Sequence, residues 1–336
     1  MKKKKLIIGI IIAIVVIIII AVSAFFFIIP SVKPFNTDKP NVSFVINTKE
    51  NFNDVLNDLS EKNVIKDKSL IEMYTSVTGK PSVMPGQYTI NSKVTVKQFL
   101  NILKDQKTIT VVIPEGYTVN QIAGIFDKIG MFSKQDFINA VNNYKLPEFI
   151  KPVQGRKYQL EGYLFPTTYA FKKGESVNTV IETMINTFVT ELDASIKETG
   201  VKITPAQINE IVTKASIIEK EAKTPEQMKN VSSVIDNRLK ANMPLQMDDT
   251  VLYSMDKLGE NVTKVYNKDL KTQSPYNTYL NKGLPIGPIC NPGKQAIEAA
   301  LKPNSTKYLY YILTNNHSFF TDNFKDFTAE KNKIIN

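Results

Sequence analysis

Residues 44–71, FVINTKENFNDVLNDLSEKNVIKDKSLI, return 67 residues later as residues 111–138, VVIPEGYTVNQIAGIFDKIGMFSKQDFI. Phe44-Val45-Ile46 falls on Val111-Val112-Ile113, and Val55 and Leu59 fall on Ile122 and Phe126. Asn63-Val64-Ile65 falls on Gly130-Met131-Phe132, and Leu70-Ile71 on Phe137-Ile138. The apolar positions and the turn agree without a gap, which marks an internal repeat. Each copy predicts a strand, a helix, a tight turn and a second helix. Closing strands are expected at residues 86–90 and near residues 163–171. The reading is therefore two βααβ units, residues 44–108 and 109–175. Modules of this shape serve as glycan binders or as spacers, and the pattern leaves both open.

Toward the N-terminus, residues 6–29 carry no charge and one polar side chain, Ser23. At about 1.5 Å per residue they span about 36 Å as a helix, enough to cross a bilayer core. Lysines at residues 2–5 precede them, so residues 1–5 are expected on the cytoplasmic side and everything after Pro30 outside. The competing reading is a cleaved signal peptide, against which stand the length of the run and its bulky exit, Phe25-Phe26-Phe27-Ile28-Ile29. Residues 30–43, with Pro34 and Pro40, read as a stiff linker.

Toward the C-terminus, residues 176–336 form the last expected domain, helical first and mixed later. Residues 177–198 show an amphipathic stripe, Val180, Ile181, Met184, Ile185, Phe188 and Val189. Residues 308–313 read as a strand that pairs with residues 318–321. The fold class is α+β: a transmembrane helix, a βααβ region, and a mixed α/β domain.

Composition narrows the chemistry. The net charge is +10, but four of the 42 basic residues are the lysines at 2–5, leaving 38 against 32 acidic ones. So mild an excess suits an anionic wall or membrane surface better than nucleic acid. One cysteine, Cys290, excludes an internal disulfide, and one histidine, His317, excludes a multi-histidine zinc site. No cofactor is implied. Catalysis is left to carboxylates, hydroxyls and amides, unless Cys290 and His317 meet in space.

Residues 204–223, TPAQINEIVTKASIIEKEAK, open with a helix start: Thr204, Pro205 and Gln207 at capping-box spacing. The apolar face is Ile208, Ile211, Val212, Ala215, Ile218 and Ala222. At about 100° per residue Glu219 falls inside that face, whereas Lys220 and Glu221 point away. Burial raises a carboxyl pKa, and a glutamate that keeps its proton near neutrality is what a general acid needs. The structural alternative pairs Glu219 with Arg156 or Arg238, the chain's only arginines. Thr224 and Gln227 cap a second helix, residues 225–240, which places Glu219 near a corner. Downstream, aromatic residues alternate with amides and hydroxyls in Tyr276-Asn277-Thr278-Tyr279, as in the lining of a sugar cleft. Residues 283–293, GLPIGPICNPG, read as a rigid rim loop or a connector.

Six stretches in order resemble the endolytic murein transglycosylases, or YceG-like proteins: residues 112–118 (VIPEGYT), 160–166 (LEGYLFP), 215–221 (ASIIEKE), 245–248 (LQMD), 276–279 (YNTY) and 283–293. Thr167 and Ile286 depart from the family pattern, and the match around His317 is loose, so that histidine receives no role. The resemblance implies a LysM-like region joined to the catalytic domain and cleavage within nascent glycan strands. It maps the catalytic glutamate onto Glu219. Gln246, Tyr276, Asn277, Thr278 and Tyr279 are the candidates for holding substrate. Gln246, Asn277 and the Tyr276 hydroxyl would orient acetamido groups and stabilise an oxocarbenium-like charge. Glu221 and Glu161 are reserve carboxylates, with Glu161 expected at the interface between the repeat region and the catalytic domain. The implied partners are peptidoglycan strands, the membrane and cell-wall synthesis proteins. A hydrolytic muramidase and a non-catalytic peptidoglycan-binding scaffold are the alternatives.

Overall fold

The computed structural model describes residues 2–36, 38, 41–47, 50–84, 86–104, 108–172, 174–259 and 265–335. Met1 of the basic tail and Pro40 of the expected linker lie outside the described residues. The architecture is mixed α and β. The one described stretch long and apolar enough to cross a membrane, Ile10–Ser31, starts within the N-terminal helix α1 (Lys2–Ile28) and runs three residues past its end.

Internal contacts divide the chain into two units. The first comprises Met1–Val111, Lys128–Met131 and Ala170–Gly174. Its elements are α1, β1 (Asn41–Ile46), α2 (Phe52–Glu61), α3 (Lys68–Thr78), β2 (Gly86–Asn91) and α4 (Val96–Lys104), with β3 (Thr108–Val112) and β4 (Thr168–Lys172) at its boundary. The strands form one sheet in the order β1-β2-β3-β4, and β1 lies antiparallel to β2 from Asn41↔Asn91 to Ile46↔Gly86. Strand alternation turns Phe44 and Ile46 inward, where Phe44 stacks on Tyr88 at 5.5 Å. The Asn51–Asp54 capping box starts α2, whose apolar face buries Phe52, Val55, Leu56 and Leu59.

The expected linker is in part folded. Val32 O accepts from Val96 N–H at 2.9 Å, Pro34 O from Lys66 N–H at 2.8 Å, and Asn36 N–H donates to Val64 O at 2.9 Å. Phe35 is the reason: it is buried edge-on against Phe99 at 5.1 Å, so the segment is drawn into the core.

The repeat is visible in the backbone. Helix α5 (Val119–Lys128) lies 67 positions after α2 at both ends. The turns agree as well, with Asn63 at φ +53° and Gly130 at φ +66°. Ile65 N–H reaches Leu59 O at 3.2 Å, and Phe132 N–H reaches Phe126 O at 3.5 Å. In the second copy, residues 144–167 intervene between α6 (Lys134–Asn143) and β4. Helix α6 packs on α7 (Val177–Thr199), and both belong to the second unit.

That second unit comprises Val112–Asp127, Phe132–Tyr169 and Glu175–Asn336. Its further elements are α8 (Ile208–Glu221), α9 (Pro225–Lys240), α10 (Asp248–Ser254), α11 (Lys294–Leu301), the β5–β6 hairpin (Tyr310–Leu313 and Ser318–Thr321) and α12 (Phe324–Ile335). Helix α11 packs against α7, α8 and α9, and its buried Ala296, Ala299 and Ala300 permit the close approach. Lys214 on α8 pairs with Asp236 on α9 at 2.6 Å.

Loop 283–293 leads into α11 and is tied to α8. Ser216 Oγ accepts from Ile289 N–H at 3.0 Å, and Cys290 Sγ donates to Ser216 O at 3.2 Å. Asn291 is fully buried. Its Oδ1 accepts from Gly162 N–H (3.0 Å) and Leu164 N–H (2.9 Å), and its Nδ2 donates to Tyr117 O (2.9 Å) and Glu161 Oε1 (3.1 Å). Gly162 permits this approach: at φ +91° a Cβ there would fall 2.6 Å from Pro288 Cβ. Buried donors left without acceptors cost about 1–3 kcal/mol each. Asn291→Ala is therefore expected to cost about 2–4 kcal/mol, read as a fall in the thermal midpoint of the detergent-solubilised chain. A change below about 0.5 kcal/mol, the usual effect of a neutral surface substitution, would contradict this account of the loop.

Candidate active site

Glu219 stands in the last turn of α8, just before Ala222 leaves the helix in an extended conformation (φ −131°, ψ 151°). The neighbouring helix begins at once, with Gln227 N–H capped by Thr224 Oγ1 at 3.3 Å. The corner fixes the side chain close to a chain reversal. Glu219 is half-buried, and its Oε2 accepts the backbone N–H of Gly293 at 3.0 Å.

A second carboxylate lies beside it. Glu115 comes from the loop after β3 and packs so closely on Gly293 that a Cβ at Gly293 would collide with the Glu115 carboxylate. Gly116, at φ +73°, also lies against Glu219, where a Cβ would be 3.4 Å from Glu219 Cγ. Backbone bonds hold this arrangement: Gly116 N–H to Asn291 O and Asn291 N–H to Tyr117 O, each 2.9 Å.

Burial is the main force pushing the Glu219 carboxyl up to about 7. The Gly293 N–H and Lys220 pull it down, and the charge of Glu115 pushes it up. The C-terminal end of a helix, where the dipole is negative, disfavours a carboxylate further. Neither arginine touches Glu219. Arg156 is bonded to Asn209 and to Ile286 O, and Arg238 to the carbonyls of Leu309, Pro244 and Leu245 and the Gln246 side chain.

The other candidates divide. Glu221 is covered by the β5–β6 hairpin and accepts the Tyr311 hydroxyl at 2.8 Å; burial, then Asp249 and Asp248, push it up to about 7. It does point away from the α8 stripe, but a partner ninety residues away in sequence covers it. Glu161 is fully buried and accepts from Val119 N–H (2.9 Å), Tyr253 O–H (2.8 Å) and Asn291 Nδ2 (3.1 Å). Burial pushes it up to about 8. It ties the start of α5 to α10 rather than facing Glu219.

Gln246 is exposed, and with Tyr279 it lines a cavity that also takes in Glu221. Tyr276, Asn277 and Thr278 are buried. Tyr276 is buried edge-on against Tyr253 at 4.8 Å, with its hydroxyl accepting from Lys157 N–H. The Asn277 amide donates to Leu270 O and Thr272 O, each at 2.9 Å. Thr278 Oγ1 accepts from Met247 N–H at 3.0 Å. Asn277 is bonded within its own loop, whereas Tyr276 and Thr278 tie that loop to Lys157 and Met247, since buried polar groups must find partners.

Cys290 is bonded to Ser216, whereas His317 Nε2 lies 3.1 Å from Glu330 Oε1 on α12, so the two form no dyad. Among the described residues no three His, Cys, Asp or Glu side chains are grouped to hold a metal. The sequence reading passed over Glu115, Gly293 and Lys220. Glu115 is exposed and Gly293 has no side chain, so periodicity carries no signal for them. Their presence in two of the family-like stretches was the available clue.

The YceG-like family matches residues 44–333. An endolytic murein transglycosylase of Bacillus subtilis (strain 168) is 33% identical over 296 residues, covering 82% of this chain and 80% of that protein. One from Streptococcus pneumoniae (strain ATCC BAA-255 / R6) is 28% identical over 329 residues; the match covers 89% of this chain and 59% of that longer protein. A yceG-like protein of Listeria monocytogenes, known from its crystal structure, is similar with a TM-score of 0.65 at 31% identity, over 88% of this chain and 99% of its own. With the family matched across most of its length, the chain belongs to the YceG-like family.

Proposed function

We propose that the chain is an endolytic lytic transglycosylase that cuts the MurNAc–GlcNAc bond within nascent peptidoglycan strands and so ends their elongation. The observation carrying this is Glu219: a half-buried carboxyl, raised to about 7, oriented by the Gly293 N–H and bound to neither arginine. The names of the Bacillus and Streptococcus relatives agree with it.

Protonated Glu219 gives its proton to the oxygen linking MurNAc to GlcNAc as the C1–O bond breaks. The resulting carboxylate takes the proton of the same sugar's C6 hydroxyl, whose oxygen bonds to C1. The product is a 1,6-anhydro ring, and no water is consumed. One group acts as acid and then as base, which requires a pKa near the working pH. Glu115 raises Glu219 and sets negative charge beside the developing oxocarbenium. Gln246 and Tyr279 serve the strand, and Glu221 and Glu161 remain reserve carboxylates.

The supporting parts follow. Helix α1 is a single-pass anchor with a cytoplasmic N-terminus, argued from the lysines ahead of it, and the second unit acts outside. The repeat region is LysM-like and holds glycan. Acting on strands still in synthesis sets the protein beside cell-wall synthesis proteins. A hydrolytic muramidase has one observation in its favour, the Glu115–Glu219 neighbourhood, since ordinary glycosidases use two carboxylates.

Products decide between these readings. Digested strands are expected to carry anhydro-MurNAc ends, one water lighter by mass than reducing ends; reducing ends alone would establish hydrolysis. Glu219→Gln should lower the rate by about 10²–10⁴-fold while leaving the fold intact by circular dichroism. Anhydro-muropeptide release at the parental rate would overturn the assignment.

The pH profile has a definite sign. Glu219 must enter protonated, so kcat/KM should fall as pH rises through about 7. Removing the neighbouring charge with Glu115→Gln eases ionisation of Glu219 and should move that limb to lower pH. An unmoved limb would show that the Glu115 charge does not act on the acid.

A further inference from the structure

The apolar N-terminal run does not end in a free stalk. Pro30 is buried, and α3 and α4 both pack against the turn Ile29–Ser31. Phe25, still inside the run, stacks on Tyr74 of α3 with ring centroids 6.0 Å apart and planes 27° from parallel. Tyr74 also packs against the buried core of the first unit. One aromatic pair thus joins the apolar helix to the folded unit beside it.

Helix α3 has more apolar surface than that unit buries. Ile71 and Thr75 turn inward. Leu70, Met73, Tyr74 and Val77 form a second stripe, at i, i+3, i+4 and i+7. At about 100° per residue, Met73 and Val77 each point about 160° away from Thr75. Met73 is 45% exposed and Val77 60%, and Leu70 and Tyr74 are half-buried. Single apolar side chains are common on surfaces, but four at helical period make a face that suits an apolar partner. The rest of the outward surface is polar, with Ser69, Glu72 and Ser76 exposed, and exposed Lys66 and Lys80 stand beyond the two ends of the helix.

The level of Phe25 identifies the partner. Twenty residues, Leu6 to Phe25, span about 30 Å as a helix, the thickness of a bilayer's hydrocarbon core. With the lysines of residues 2–5 at one boundary, Phe25 falls at the other. The ring stacked on it lies at headgroup depth, where tyrosine is favoured because its ring is apolar and its hydroxyl wet. Tyr74 belongs to the stripe, so the stripe begins at that depth. A helix lying along a membrane surface buries such a face and leaves its basic residues among the headgroups.

We infer that the outward face of α3 docks on the membrane that α1 crosses, with Leu70, Met73, Tyr74 and Val77 set at the boundary of lipid headgroups and acyl chains. The inference rests on the reading of α1 as a membrane-spanning anchor. Held by both α1 and α3, the first unit keeps a fixed height above the lipid, which a single flexible tether does not give.

The chain has no tryptophan, so one introduced indole reports only its own surroundings. The full chain is reconstituted in vesicles of phosphatidylcholine and phosphatidylglycerol, with and without bromine on the acyl chains. Val77→Trp should emit at shorter wavelength than Glu72→Trp, which lies on the polar face of the same helix. It should also lose most of its emission to the brominated lipid, while Glu72→Trp keeps most of its own. Exposed substitutions of this kind leave the fold nearly unchanged, which circular dichroism checks. Ile20→Trp, within α1, reads the anchor by the same quenching. Ile20→Trp quenched with Val77→Trp unquenched would overturn the docked face and leave the anchor standing. A Val77→Trp emission that shifts without quenching would mean that protein covers the face, a second copy for instance, and would also overturn it. No quenching of Ile20→Trp would overturn both.

Discussion

The buried amide of Asn291 is the constraint on which the second unit depends. It accepts from two backbone donors of residues 160–166, donates to the carbonyl of Tyr117, and donates to the buried Glu161. Three distant segments, residues 112–118, 160–166 and 283–293, thereby meet at one side chain. A buried network of this kind is favourable when every member is satisfied and costly when one is missing. It also fixes Gly293, two residues further on, whose N–H orients Glu219. The Glu219 carboxyl is thus oriented through a residue that does not touch it.

The site's electrostatics follow from crowding acids in poorly hydrated surroundings. Glu219, Glu221 and Asp249 lie in the last turn of α8 and the first turn of α10, and burial is the largest influence raising all three. Their surroundings separate their roles. Glu221 is bonded to Tyr311, and Asp249 answers to Lys220. Glu219 keeps a single backbone donor and a neighbouring Glu115, an arrangement that can hold a proton and release it.

Local pattern was enough for much of the fold. The capping residues Thr224 and Gln227 set the start of α9, and the 67-residue spacing set α5 from α2 to the residue. Helical periodicity singled out Glu219 because a charged residue on an apolar face breaks a rule that spans only a few turns. The burial of Tyr276, Asn277 and Thr278 has no such local signal. Rings and amides serve equally well to line a cleft or to satisfy buried backbone: the Asn277 amide donates to the carbonyls of Leu270 and Thr272, Thr278 Oγ1 accepts the Met247 N–H, and the Tyr276 hydroxyl accepts the Lys157 N–H. Phe35 turned an expected spacer into core, since a prolyl segment is stiff only until an apolar side chain finds a place to bury.

The sequence by itself determined the apolar N-terminal helix, the repeated strand–helix–helix units and the glutamate set into the face of α8. These depend on periodicity and capping, which act over ten to twenty residues. Only the tertiary structure decided that Glu115 and Gly293 stand beside Glu219, that Tyr311 covers Glu221, and that Glu161 joins α5 to α10. Those contacts bridge residues 42 to 178 positions apart, from Val119–Glu161 to Glu115–Gly293, through loops packed around Asn291 and, for Glu221, through the β5–β6 hairpin. No local rule specifies which distant group will meet a buried charge; the cost of leaving it unpaired does.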